Sequence, residues 1–218
     1  TPLPTASRFG LTHSRGIVFR LSALFMLDAF GGALVVQSLI AYWFYVKFGV
    51  DTAVIGVIFF WANIFAGSSA LAAARIASYI GLVNTMVFTH IPSNILLMLV
   101  PLMPSLPLAV AVLLVRFSIS QMDVPTRQSY VMAVVDPKER SAAAGVTGIA
   151  RTLGAMCAPL LSGVMLQAGL LSLPFFVAGG LKIAYDLSLY QSFRRLKPPE
   201  ENKNYLSTTS SNIKQSED

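Results

Sequence analysis

Six long apolar runs, separated only by short links that carry glycine, proline or arginine, constrain this chain more than any motif in it. A helix needs roughly 20 apolar residues to cross the hydrocarbon core of a bilayer. The first run extends from about Ile17 to Phe48 and is broken by Gly49–Thr52. The second covers Ala53–Ala74 and closes at Arg75. A short link, Ile76–Gly81, leads to the third, Leu82–Leu102, after which Pro101, Pro104 and Pro107 forbid a continuing helix. The fourth, Leu108–Val135, stops at Asp136-Pro137, and the fifth, Ala142–Ala168, ends in the turn Gly169–Pro174. The sixth, Phe175–Phe193, is closed by Arg194-Arg195 and Pro198-Pro199. Transmembrane β-strands would be about ten residues long and alternate in polarity. In lipid, helices satisfy their backbone groups within each segment. The expected fold is therefore all-α, a polytopic membrane protein with six transmembrane helices over residues 16–196. A cytoplasmic linker (1–15) is expected before it and a disordered cytoplasmic tail (197–218), rich in Ser, Asn, Lys and Glu, after it.

Composition agrees: 55% of the 218 residues are hydrophobic and 12% charged, against about 25% charged in soluble domains. The net charge of +6 does not indicate nucleic acid, because the basic residues are scattered between apolar runs instead of forming a patch. They follow the positive-inside rule. Arg8, Arg15, Arg20, Arg75, Lys138 and Arg140 fall on one side with Arg194, Arg195, Lys197, Lys203 and Lys214, eleven against Lys47 alone on the other. Both termini are expected in the cytoplasm, at a plasma or inner membrane. Thr1–Pro4 is not a cleavable signal peptide, and a first residue other than Met suggests a fragment. The lone Cys157 excludes an internal disulfide and a cysteine-based metal site, and its apolar surroundings predict a buried thiol. There is no zinc-protease His-Glu pair, no Gly-x-Ser-x-Gly elbow and no phosphate-binding glycine loop. We expect no enzyme, no cofactor and no metal.

Charges at bilayer depth are costly, so each must face protein or water. Asp28 lies mid-way along the first run, beside Gly31 and Gly32. It is either a substrate- or proton-coupling carboxylate or an acceptor that locks helices together. Gln37 and Asn63 either line a cavity or bridge helices. Arg116 and Arg151 are expected to pair with Asp28, Asp123 or helix carbonyls. Asp123/Arg127 and Lys182/Asp186 stand at i and i+4, which predicts mutual neutralisation. His90 and Pro92 suggest a kink with a proton-relay option. Gly145, Gly148, Gly154, Ala158, Ser162 and Gly163 crowd the fifth run around Pro159, a small-residue face for close helix approach or for rocking during gating.

Three stretches carry a family resemblance. Leu27-Asp28-Ala29-Phe30-Gly31-Gly32 runs on to Val36-Gln37-Ser38-Leu39. Arg116-Phe-Ser-Ile-Ser-Gln121-Met-Asp123-Val-Pro-Thr-Arg127 is followed by Asp136-Pro137-Lys138-Glu139-Arg140. Gly154-x-x-x-Ala158-Pro159-x-x-Ser162-Gly163 resembles a glycine-proline antiporter motif, with Ala158 and Ser162 where glycines are usual. Over about residues 15–197 the chain resembles the C-terminal six-helix half of a major facilitator superfamily transporter. The link before Gly81 departs from the family's usual Asp-Arg, carrying Ser78 and Tyr79. The resemblance implies secondary active transport of a small organic solute or drug across the bilayer, by proton antiport, with the solute between this half and an N-terminal six-helix half. Asp28, Gln37, Asn63, Arg116, Gln121, Asp123 and Arg151 are the substrate or coupling candidates. Arg75, Gly81, Arg127, Arg140, Lys182 and Asp186 would serve gating or structure, with Gly154, Pro159 and Gly163. The runner-up expectation is a truncated or regulatory half that assembles with a partner and transports nothing.

Overall fold

A computed structural model describes residues 10–193, and these are built from helices joined by short turns. The helices are α1 (Arg15–Leu34), α2 (Gln37–Phe48), α3 (Thr52–Ile80), α4 (Leu82–Leu99), α5 (Leu106–Ser120), α6 (Asp123–Val134), α7 (Arg140–Gln167) and α8 (Leu173–Phe193). Short 3-10 turns sit at Val100–Leu102 and Pro137–Glu139. The expected linker up to residue 9 and the tail 197–218 lie outside the described residues, as do Arg8 and the basic residues from Arg194 onward. Among the described residues, five helical stretches are long and apolar enough to cross a membrane: Arg15–Phe48, Thr52–Ile80, Leu82–Leu102, Leu106–Val134 and Pro137–Gln167. Six were expected. The sixth, α8, has the length, 21 residues, but Lys182 and Asp186 dilute its apolarity.

Two of the expected continuous spans are broken. Between α1 and α2, Val36 is extended and its carbonyl accepts from Leu39 and Ile40 N–H at 2.9 and 3.1 Å. The β-branched pair Val35-Val36, just past Gly31-Gly32, gives this point weak helix propensity. Between α5 and α6, Pro125 explains the break. Its ring would clash with the carbonyl of residue i−4, Gln121, and there the helix stops. Conversely, α3 continues beyond Arg75 to Ile80 and ends at Gly81, whose positive φ of 85° suits a residue without a side chain.

Helix α1 is the hub, packing chiefly against α7 and α8, while α4 lies on α8 and α3 on α5. The α1–α7 contact is backbone-close. A Cβ at Gly154 would collide with the carbonyl oxygen of Met26. Two turns further on, Ser162 Oγ donates to the Leu34 carbonyl at 2.7 Å, satisfying a group left open by the end of α1. The expectation of a whole small-residue face is thereby narrowed: Gly145, Gly148 and Gly163 have no neighbour within 4 Å of where a Cβ would stand. Cys157 is corrected too. It is exposed on α7, since the small residues beside it in sequence do not all turn inward.

The interior is layered along the helix axes. Leu34, Trp43, Phe44, Leu97, Leu113, Ala158 and Phe175 belong to one apolar cluster. Val18, Leu21, Phe25, Met86, Tyr130, Ala143 and Phe193 belong to another. Helices α1, α4, α7 and α8 each contribute to both clusters, and the buried charges Asp28, His90, Asp123, Arg127, Lys182 and Asp186 belong to neither.

At one end of the bundle, Glu139 ties the approach to α1 to the turn before α7. Its carboxylate accepts N–H groups from Thr12, His13 and Ser14 at 2.6, 2.9 and 2.9 Å, and the Thr12 hydroxyl as well. Ser14 Oγ returns the tie by accepting Asp136 N–H at 3.0 Å. Replacing Glu139 by alanine removes the acceptor shared by these donors. Amide exchange at Thr12, His13 and Ser14 is expected to accelerate while exchange in the middle of α1 stays unchanged; equal protection in the variant would remove this role from Glu139.

Candidate functional site

The centre of the charged layer is Asp28, placed on the buried side of α1 at 3% exposure. Three cations from three helices share its two oxygens. Lys182 Nζ from α8 donates to Oδ1 at 2.7 Å. Arg127 Nη1 from α6 and Arg151 Nη1 from α7 donate to Oδ2 at 3.0 and 3.1 Å. Arg127 Nη1 also reaches Asp123 at 2.9 Å, the expected i, i+4 pair, and its guanidinium lies 5.4 Å from the centre of the Phe25 ring.

The other expected pair does not form. Lys182 turns from Asp186 toward α1, because Gly31 and Gly32 leave a groove for its stem. A Cβ at Gly31 would meet Lys182 Cγ at 3.1 Å, and one at Gly32 would meet Cε at 3.5 Å. Asp186 instead receives His90 from α4 at 2.8 and 3.1 Å and the Asn94 amide at 3.3 Å. An ionised carboxylate only accepts, so His90 presents Nδ1–H to Asp186. Its Nε2 is then the lone-pair nitrogen, 3.3 Å from Lys182 Nζ and 4.0 Å from Asp28. The result is a continuous chain, Asp186–His90–Lys182–Asp28–Arg127–Asp123, with Arg151 attached at its edge. With His90 neutral, three carboxylates face three cations, which is the condition for holding ionised groups out of water.

A cavity of about 1460 Å³ opens beside this chain. Its walls come from the end of α3, the start of α4, α6 and the first half of α7. Arg127, Arg140 and Arg151 line it, and no Asp or Glu stands among its described lining residues. Arg151 connects the two: its side chain is 35% exposed while the Asp28 it touches is 4% exposed.

The remaining candidates stand apart. Asn63 is exposed and gives its amide to Phe59 O on its own helix at 2.7 Å. Gln37 is exposed at the start of α2, and Gln121 closes α5 at the break. The expected pairing of Arg116 fails: among the described residues it forms no ion pair, its buried Nε has no partner, and its guanidinium lies 5.1 Å from the Phe117 ring centre. Asp28 and Asp123 are already taken by other cations, and Asp186 is taken by His90 and Asn94. Arg75 is exposed on the last turns of α3, and Pro159 lies within α7. Sequence reasoning passed over Asn94 and the role of Glu139, and gave His90 no partner.

A family model described as "Major Facilitator Superfamily" matches residues 21–212. The chain is also 27% identical over 174 residues to the uncharacterized membrane protein YJR124C of Saccharomyces cerevisiae, a match covering 79% of this chain and 39% of that protein. It thus spans well under half the length of that relative. No solved structure matches. A broken-helix bundle with ionised groups across its middle and a family match over most of its length lead to one assignment: the chain belongs to the major facilitator superfamily.

Proposed function

We propose that this chain forms one six-helix wall of a secondary transporter that moves a small organic solute, coupled to protons. The observation that carries the reading is Asp28, shared by three cations of which two, Arg127 and Arg151, line a cavity of about 1460 Å³. Intramembrane ionisable groups that face a cavity mark solute and proton pathways. Helix α8 serves as the sixth span in this reading, since its two charged side chains are partnered by Asp28 on α1 and His90 on α4.

The cavity needs a second wall. Exposed apolar stripes run along α7 (Ile149, Leu153, Met156, Leu160) and α3 (Val57, Phe60, Trp61, Ile64), in a chain read as half of a twelve-helix bundle. In our reading a second six-helix half, N-terminal on the same polypeptide, covers part of this surface. Uptake by the complete polypeptide in vesicles, against a panel of solutes and with or without a proton ionophore, tests the proposal. Ionophore-sensitive movement of at least one solute is expected. If no solute moves, the reading gives way to a membrane half that assembles without transporting.

The membrane orientation follows from the basic links. The Thr12–Ser14 segment bonds Glu139 and so shares one end of the bundle with the turn before α7, and in our reading that end is cytoplasmic. In a Cys157→Ser background, an impermeant thiol reagent should label Ser105→Cys from outside and leave Lys138→Cys untouched. The opposite pattern inverts the topology.

A further inference from the structure

From the charge balance of the Asp28 layer and a cavity lining whose charged residues, among those described, are all arginines, we infer that the solute is a small oxyanion, a carboxylate or phosphate, loaded together with one proton. The inference rests on the transport reading above and names its substrate class.

A solute in this cavity meets arginine and no carboxylate. Arg140 is exposed at the start of α7 and forms no ion pair among the described residues. Arg151 contributes one N–H to Asp28 and keeps the rest of its fork, which has five N–H donors, toward the cavity. Guanidinium groups match planar or tetrahedral oxyanions with two parallel hydrogen bonds. Ammonium solutes would find no carboxylate among the described lining residues and would face three like charges.

The proton follows from arithmetic. Every group facing Asp28 is accounted for: Arg127 with Asp123 behind it on α6, Arg151 on α7, Lys182 on α8, and His90 on α4 with Asp186 behind it. Tyr185 also packs nearby as a neutral phenol, edge-on to His90. With His90 neutral, three negative and three positive charges cancel. An anion drawn to Arg151 adds one negative charge to this layer, away from water, where an unbalanced charge is costly. A proton from the aqueous cavity, placed on Asp28 Oδ2 as Arg151 swings to the anion, restores neutrality. Asp28 becomes a neutral acid, Arg127 keeps Asp123, and Arg151 pairs with the solute. Releasing the anion without the proton would leave a surplus positive charge, so the two leave together. This predicts movement in the same direction, in place of the exchange implied by the Gly154–Gly163 resemblance.

The test uses the complete polypeptide, purified and in vesicles, with benzoate, succinate and inorganic phosphate against glucose and tetraethylammonium. Expected is a rise in thermal stability with at least one oxyanion, and uptake of that oxyanion accompanied by alkalinisation outside. Arg151→Gln should raise the half-saturating anion concentration at least about tenfold, the scale of one charge-assisted hydrogen bond, while Arg151→Lys recovers part of it. Transport confined to glucose or tetraethylammonium overturns the oxyanion and leaves the transport reading standing. Anion stabilisation without transport of any solute does the reverse. Anion uptake with acidification outside keeps the substrate class and overturns the shared direction.

Discussion

Gly154→Ala is expected to destabilise the folded bundle by about 3 kcal/mol or more, the upper range for overpacking. The added methyl would collide with the Met26 carbonyl oxygen and stand 3.0 Å from its carbon. Those are backbone atoms of α1, so relief requires moving one helix away from the other. Such a shift would stretch the Ser162–Leu34 bond and the Arg151–Asp28 contact, which span the same pair of helices. Gly145→Ala provides the comparison, because nothing lies within 4 Å of its Cβ position. On the same helix it should be neutral or add up to about 1 kcal/mol through propensity. Thermal denaturation followed by fluorescence-detected size exclusion reads both. Equal losses in the two variants would mean that the close α1–α7 contact is not what Gly154 provides.

Asp28→Asn is expected to cost about 3–5 kcal/mol, the range for removing one partner of a buried ion pair. An amide keeps the shape of the side chain but leaves Lys182 and Arg127 facing each other without the shared negative charge. The second substitution is the informative one. Asp28→Asn combined with Lys182→Met removes one charge of each sign and should recover about half of the loss or more. A double variant as unstable as the sum of the two singles would show that Asp28 and Lys182 act independently.

Much of this architecture was legible in the sequence because hydropathy is additive along a chain. The expected runs are helical apart from the breaks at Val35-Val36 and Gln121-Met122, and the helices end close to Gly49, Gly81 and Asp136, the second of them beyond the expected stop at Arg75. The partners of the buried charges were legible only in part. Spacing of four places Asp123 and Arg127 on one face and they do bond. The same spacing failed for Lys182 and Asp186, since it says nothing about a glycine groove on another helix. A one-to-one count of acids and bases would not have found the pairing either, because Asp28 gathers Arg127, Arg151 and Lys182 while Asp186 takes His90 and Asn94, and Arg116 is left without an acid among the described residues. The break at Gln121 was readable from Pro125 four residues later, whereas the one at Val35-Val36 rests on weak propensity and tertiary packing. Cys157 was misjudged because a small apolar neighbourhood in sequence does not fix which way a helix turns.

Lys182 and Asp186 have a consequence for how the protein is made. Each would cost about 2.5–3.5 kcal/mol at the centre of a helix leaving the translocon, and α8 is the helix that falls short of the apolarity its siblings reach. Its carboxylate and ammonium find partners in His90 and Asp28, which are synthesised long before it. In the six-span reading proposed above, helix α8 would be a guest in the bilayer, admitted by helices already there. Joined to a glycosylation reporter without α1 and α4, the segment Leu173–Phe193 should slip past the membrane, and with them in place it should stay.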